Sequence, residues 1–247
     1  MFRMPPGARG VVPLSFEGVR GRRTPLPTPF TNLVGVTGPG TDIPDASIAA
    51  VIEEFRGHDA SFGWLVGPNS PGDLAVRLAE HGLSRAEGFA CLVLTDLDRD
   101  IPVADHVTIR EIDNQEQETF ANLLSRAFGM PEEMIAYMCD ILYFAEEGVQ
   151  ARNYVAELDG AAEPVAAAST ICYPDDGMVV LAGSAVLEPH RGRGIYHALV
   201  RRRLQDARAD GFEAAGIQAV RSTSAPICRS LGFEEVCGQE LYAWSPE

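Results

Sequence analysis

The chain has 247 residues, 46% of them hydrophobic, and a formal charge of -15. That length can bury a full core as one large domain or two small ones, and the acidic balance argues against broad nucleic-acid binding, which needs a basic face to neutralise phosphates. No apolar run approaches the roughly 20 residues of a membrane span, and the start MFRMPPGARG carries no apolar signal core, so neither membrane insertion nor secretion is expected and the cytoplasm is the expected compartment.

Cys91, Cys139, Cys172, Cys228 and Cys237 are odd in number, widely separated and free of any C-x-x-C pair. Neither a disulfide framework nor a zinc site is expected, and the five histidines show no ligand spacing, so no bound metal is expected either.

In chain order, the basic stretch Arg20, Arg22 and Arg23 reads as an arm able to contact the acidic remainder. FTNLVGVT (30–37) reads as a strand, GPGTDIPDAS as a loop, DASIAAVIEEF (45–55) as a helix and LAVRLAEHGL (74–83) as a second helix. DLDRDIPVADHV (96–107), polar and Pro-containing, reads as a linker that separates a domain 1–102 from a domain 103–247. HVTIREI then reads as a strand, QEQETFANLLSRAF as an amphipathic helix, and PEEMIAYMCDILYFAEE as one helix with proline in its first turn. Strands NYVAEL, VAAASTICY and MVVLAGSAVL follow, joined by Asp-Gly type turns. A helix from about Tyr196 to Ala209, the strand AAGIQAV, a short helix APICRSL and a last strand ending at ELYAW complete the order βααβββαβαβ. The fold class is α/β, a mixed sheet flanked by helices.

Sliding the chain by 150 residues lays FTNLVGVT on VLAGSAVL, the helix at 45–55 on the arginine-rich helix, and LAVRLAEHGL on SAPICRSLGF. The N-terminal half is therefore expected to repeat the later part of the C-terminal domain. Trp64 and Trp244, in roughly matching late strands, are expected to be structural.

The segment AVLEPHRGRGIYHAL carries the clearest chemistry. Gly192 and Gly194 stand between a strand end and a helix start, where glycine lets successive N–H groups turn toward one anion and the helix adds its positive end. Such a loop cradles a pyrophosphate, and Arg191 and Arg193 can add charge-assisted contacts. Arg191, Gly192, Arg193, Gly194 and Ile195 resemble the R/Q-x-x-G-x-G/A signature of the GNAT acyltransferases, with Tyr196 replacing its last small residue; the preceding strand and SLGFEEV also fit. The resemblance covers residues 103–247 and implies a GNAT fold there, with a degenerate GNAT-like copy before it.

What the resemblance implies is acetyl-CoA as acyl donor and the amine of a small molecule as acceptor. Backbone amides from Arg191 to Tyr196 would bind the pyrophosphate, and Ala185 and Val186 would pair with the pantetheine arm. The family's acid, a tyrosine four residues before the closing G-F pair, falls here on Cys228, which can equally be a buried helix residue. Ser184 is the candidate for polarising the carbonyl, Glu188 at the strand exit is a candidate base beside a water relay, and Tyr143 and Phe144 are candidate substrate contacts. GPGTDIPDAS lacks the arginine and carries Asp42 and Asp45, so the N-terminal half is expected to bind no coenzyme A. Its expected work is structural: extending the sheet, covering the acceptor site or forming the surface of a homodimer. Transfer of another acyl group, transfer to a hydroxyl, and a coenzyme A sensor without turnover are the alternatives.

Overall fold

A computed structural model describes residues 10–103, 106–145 and 149–246. They fall into two compact units, one holding residues of 10–91, 219–226 and 235–246, the other residues of 92–218 and 227–234.

The first unit begins with a hairpin, β1 (Val12–Phe16) and β2 (Val19–Arg23), followed by β3 (Leu33–Val36), α1 (Asp45–Arg56), β4 (Phe62–Val66), α2 (Leu74–Glu80) and β5 (Ser84–Leu94). β1, β2 and β3 pair antiparallel in turn, and β3 pairs parallel to β4. Ile48, Val51, Ile52 and Phe55 recur at helical spacing on α1 and are buried, so one stripe of the helix faces the sheet. Phe55 stacks on Phe62 with ring centroids 4.5 Å apart, in a core shared with Trp64, Leu74 and Leu78.

Arg20, Arg22 and Arg23 do not form a free arm. All three lie in β2; Arg22 is buried and its Nε donates to Thr31 O at 3.0 Å, while Arg23 pairs with Glu54 at 3.1 Å. The reading failed because the two buried residues of this strand, Val19 and Arg22, are three positions apart and so lie on opposite faces, a pattern that hydropathy does not register.

The second unit runs through β6 (Val107–Ile112), α3 (Gln117–Phe128), α4 (Glu132–Met138), β7 (Gln150–Leu158), β8 (Ala166–Tyr173), β9 (Met178–Val186), α5 (Ile195–Ala209), β10 (Ala214–Val220) and α6 (Ser224–Ser230). β6 to β9 pair antiparallel in sequence, and β9 pairs parallel to β10. The predicted long second helix is α4 followed by a π-helical turn, Cys139–Tyr143; its last predicted residues, 146 and 147, lie outside the described residues. The hydrophobic face of α3 buries Phe120, Ala121, Leu123 and Leu124, and its C-terminus closes on Gly129 at φ +66°.

The expected repeat is visible in the element order. Asp45, Leu74 and Ser84 open α1, α2 and β5, and the residues 150 further on, Ile195, Ser224 and Glu234, open α5, α6 and the last strand, β11 (Glu234–Trp244). The likeness extends upstream of the matched sequence, since β1, β2 and β3 repeat the antiparallel order of β7, β8 and β9, each series ending in a parallel pair. β11 belongs to the first unit, where Tyr242 pairs with Trp64 and Trp244 with Phe62, and both of its aromatics enter the core of that unit. Trp64 and Trp244 are thus structural residues of one core.

Removing residues 1–102 should leave β11 without β4 and expose Tyr242 and Trp244. Size-exclusion chromatography of residues 103–247 should show aggregated or polydisperse material; a monodisperse, stably folded monomer would contradict the importance of this pairing.

Candidate functional site

The site is built around β9. Its antiparallel register with β8 matches Ala185 to Ala167 and Ala182 to Ser169, so Gly183 and Ser184 together face Ala168 as a β-bulge. Gly183 has φ +52°, and a Cβ there would come within 2.9 Å of the Tyr143 ring and 3.0 Å of its hydroxyl. The Ser184 hydroxyl donates to Ala182 O at 3.3 Å. On the other edge the parallel register with β10 runs through Met178, Val179 and Val180, while β9 continues to Val186. The far half of β9 thus slips against β8 at the bulge, resumes that ladder at Ala185 and Val186, and leaves the register with β10, so its β10-facing edge is where an added extended chain could pair.

After Val186 the chain makes a short 3₁₀ turn, Glu188–His190, and reaches Gly192 and Gly194 at φ +75° and +76°. Side chains are strained in that region, and Gly194 is the N-cap of α5. The first turn of a helix has no intrahelical acceptor for its N–H groups, and the bond that closes α5 runs from Ala198 N to Gly194 O at 3.1 Å. The Arg191 N–H is already used, donating to Glu188 O at 3.2 Å. The amides this loop offers an anion are therefore those from Gly192 onward, Arg193, Gly194, Ile195 and Tyr196 included.

The Arg191 side chain braces the loop: Nε donates to Val186 O at 3.1 Å and Nη2 to Ala127 O, near the end of α3, at 3.0 Å. Arg193 is exposed. Tyr196 turns its side chain toward α6, placing its hydroxyl 3.5 Å from the Cys228 Sγ and leaving the loop clear. Cys228 itself is 1% exposed, and burial pushes its thiol above the ordinary range. Glu188 is exposed in the turn after β9.

Tyr143 and Phe144 meet at a cavity of about 630 Å³, also lined by Glu111, Arg152, Asn153 and Asp210. Arg152 pairs with Glu111 at 2.6 Å and with Asp210 at 2.7 Å, and Asp206 lies 3.4 Å from it. Of the charged groups that line the cavity, two carboxylates, Glu111 and Asp210, share the one cation Arg152, which leaves the rim negative, while Asp206 is shared between Arg152 and Arg202. Tyr143 links the cavity to the bulge, because the same ring that lines the cavity abuts Gly183. Burial holds its phenol above the usual range, so it is a neutral hydrogen-bonding group.

Residues 117–233 match the model of the acetyltransferase (GNAT) family. This segment is a GNAT domain. It opens with α3 and stops at the residue before β11, so it contains the bulge, the glycine loop and Cys228. In structure the chain is similar to a GCN5-related N-acetyltransferase from Kribbella flavida, with a TM-score of 0.69 and 21% identity over 97% of this chain and 91% of that one. It is also similar to a GCN5-related N-acetyltransferase from Sphaerobacter thermophilus, at TM-score 0.65 and 16% identity over 93% and 81% of the two chains. A tandem GNAT protein from the clavulanic acid biosynthesis pathway gives TM-score 0.62 and 15% identity over 93% and 79%. At these identities the likeness establishes the fold. No curated protein matches the chain with significance.

Within the GNAT domain, Arg203 was not anticipated. It is fully buried on α5, with Nε donating to Leu199 O and Nη1 to Ser169 O, both at 3.1 Å. Its Nη2 has no hydrogen-bond partner among the described residues. The signal was present: in VRRRL the last arginine continues the buried stripe of Ile195, Leu199 and Ala207. Among the described residues no group of three or more His, Cys, Asp or Glu is placed to hold a metal ion.

The equivalent loop of the first unit is closed. Pro44, 150 residues before Gly194, caps α1 at φ -60° and has no N–H to offer. Ile43 is fully buried beside it, and Arg77 bonds both Ile43 O and the Asp45 carboxylate, the latter at 2.8 Å from Nε. Asp45 therefore already occupies the first turn of the helix with negative charge.

The bulge gives a direct test. Gly183→Ala should cost more than about 1 kcal/mol in chemical denaturation, from positive φ and the clash with Tyr143. In a Tyr143→Ala background the penalty should shrink, giving a coupling of about 0.5–3 kcal/mol. Strict additivity would mean the ring does not hold the bulge.

Proposed function

We propose that the GNAT domain transfers an acetyl group from acetyl-CoA to the amine of a small molecule in the cytoplasm. The observation that carries this reading is the loop at Gly192 and Gly194, both at positive φ, opening α5 directly after a strand whose ladder is interrupted. Amides from Gly192 to Tyr196 would take the pyrophosphate, Arg193 would add charge, and Arg191 would hold the loop against Val186 and α3. Ala185 and Val186 would receive the pantetheine arm as an added strand.

The chemistry needs an unprotonated amine, a donor to the thioester oxygen and a route for protons. A bulge leaves a residue outside the ladder, so a backbone N–H at Gly183 or Ser184, or the Ser184 hydroxyl, is the donor we favour. The acceptor would occupy the cavity of Tyr143 and Phe144, whose negative rim suits a cationic molecule. Proton loss would run through water, with Glu188 as the carboxylate at the strand exit. The five cysteines are free thiols, as a reducing compartment keeps them.

The first unit, with Pro44, Asp45 and Arg77 closing its loop, would bind no coenzyme A and would act structurally. The linker before β6 would separate this degenerate copy, residues 1–102, from the transferase domain, with β11 exchanged into the copy's sheet. A sensor that binds coenzyme A without turnover is the second reading, favoured by the sealed thiol at Cys228.

Free-thiol release from acetyl-CoA across a panel of small amines separates the two: amine-dependent release supports the transferase, and binding without release supports the sensor. Calorimetry should show that Gly194→Glu loses coenzyme A affinity by about 100-fold or more, because the new side chain is strained at positive φ and its carboxylate faces the phosphates. Unchanged affinity in a folded variant would remove the pyrophosphate from this loop.

A further inference from the structure

Resting on the acetyl-CoA reading above, we propose that Tyr196 is the catalytic proton donor to the departing coenzyme thiolate, a role supplied from the first turn of α5 and not from α6. The resemblance puts the family's acid at Cys228, but that residue is 1% exposed and its thiol lies against the Tyr196 hydroxyl. The Tyr196 hydroxyl sits 3.5 Å from it, so a phenol reaches within one contact of that position from the opposite helix. Tyr196 also remains partly exposed, and its own N–H belongs to the loop proposed for the pyrophosphate.

Arg203 supplies the second, independent observation. Among the described residues this fully buried guanidinium has backbone carbonyls as its hydrogen-bond partners, an unpartnered Nη2 and no carboxylate paired with it. Burial lowers its hold on its proton, and the groups that act against burial are Tyr196, Tyr154 and Cys228, none of them a carboxylate. Such a charge favours a nearby negative group, whether the sulfur that leaves or the phenolate that has given up its proton. Arg203 is in this sense a positioning residue acting through Tyr196.

The step balances as follows. The acceptor nitrogen forms a bond to the thioester carbon, the C–S bond breaks with its electron pair on sulfur, and sulfur takes the Tyr196 proton to give coenzyme A thiol. The proton released by the new amide nitrogen passes through water and restores the phenol. No oxidant or further reactant is needed.

Two measurements test the assignment, with thermal unfolding confirming that each variant is folded. In calorimetric titration the wild type should bind coenzyme A about fivefold more tightly than desulfo-coenzyme A, the worth of one hydrogen bond to sulfur. Tyr196→Phe should erase that preference and keep the desulfo-coenzyme A affinity. In thiol release, Tyr196→Phe should lower kcat by about 10²-fold with the KM for acetyl-CoA unchanged. A Tyr196→Phe enzyme within about threefold of wild-type kcat, or one that keeps the preference for coenzyme A, overturns the assignment and leaves the transferase reading standing. A larger loss in Cys228→Ala than in Tyr196→Phe overturns it in favour of the thiol. A wild type that binds neither compound defeats the acetyl-CoA reading itself, and the Tyr196 assignment with it.

Discussion

Everything at the site depends on β9 failing to remain a regular strand. A strand inside a sheet has both edges hydrogen-bonded, and its backbone is then closed to any other partner. β9 begins that way, between β8 and β10, but the register with β10 is confined to Met178, Val179 and Val180, and the register with β8 slips at Gly183 and Ser184. Tyr143 lies on the slip, where only glycine leaves room for its ring. The same departure sends the chain out at Val186 toward the two glycines, so bulge, wedge and loop have one origin.

The electrostatics follow a similar economy. The protein carries a large negative charge, yet the core of its GNAT domain contains a bare guanidinium. Removing a charge from water is expensive unless hydrogen bonds and partners compensate, and among the described residues Arg203 bonds two carbonyls. Burial accordingly lowers its affinity for its proton, while the hydroxyls of Tyr196 and Tyr154 and the Cys228 thiol act the other way. Around Arg152 the arrangement is opposite, with carboxylates surrounding a half-exposed cation. Tyr154 stands between the two arrangements, acting on Arg203 and lying under the Arg152 guanidinium.

Much of this was legible in the sequence for identifiable reasons. Strands β7 to β9 are apolar and separated by turn residues, and α5 opens on a glycine pair whose conformational demands are local. The repeat was legible because α1, α2 and β5 preserve their spacing to the residue. The hairpin β1–β2 was not, because its arginines find partners, Thr31 and Glu54, that lie elsewhere in the chain. The end of the second helix was misjudged because Cys139–Tyr143 keeps an apolar pattern while widening into a π turn. At the site, the Gly192–Gly194 loop was readable from spacing alone, whereas the neighbourhood of Tyr196 and Cys228 joins residues 32 positions apart and needs the packing of two helices to be seen.

The placement of β11 has a bearing on how the protein is made. The first unit contains most of the residues that leave the ribosome early, but β4 waits for Leu241, Tyr242, Ala243 and Trp244, which emerge after the whole second unit has been synthesised. Domains usually fold as they emerge, in order. Here the unit begun first is completed last, and until then Phe62 and Trp64 present an open strand edge that a chaperone, or another nascent copy, can occupy.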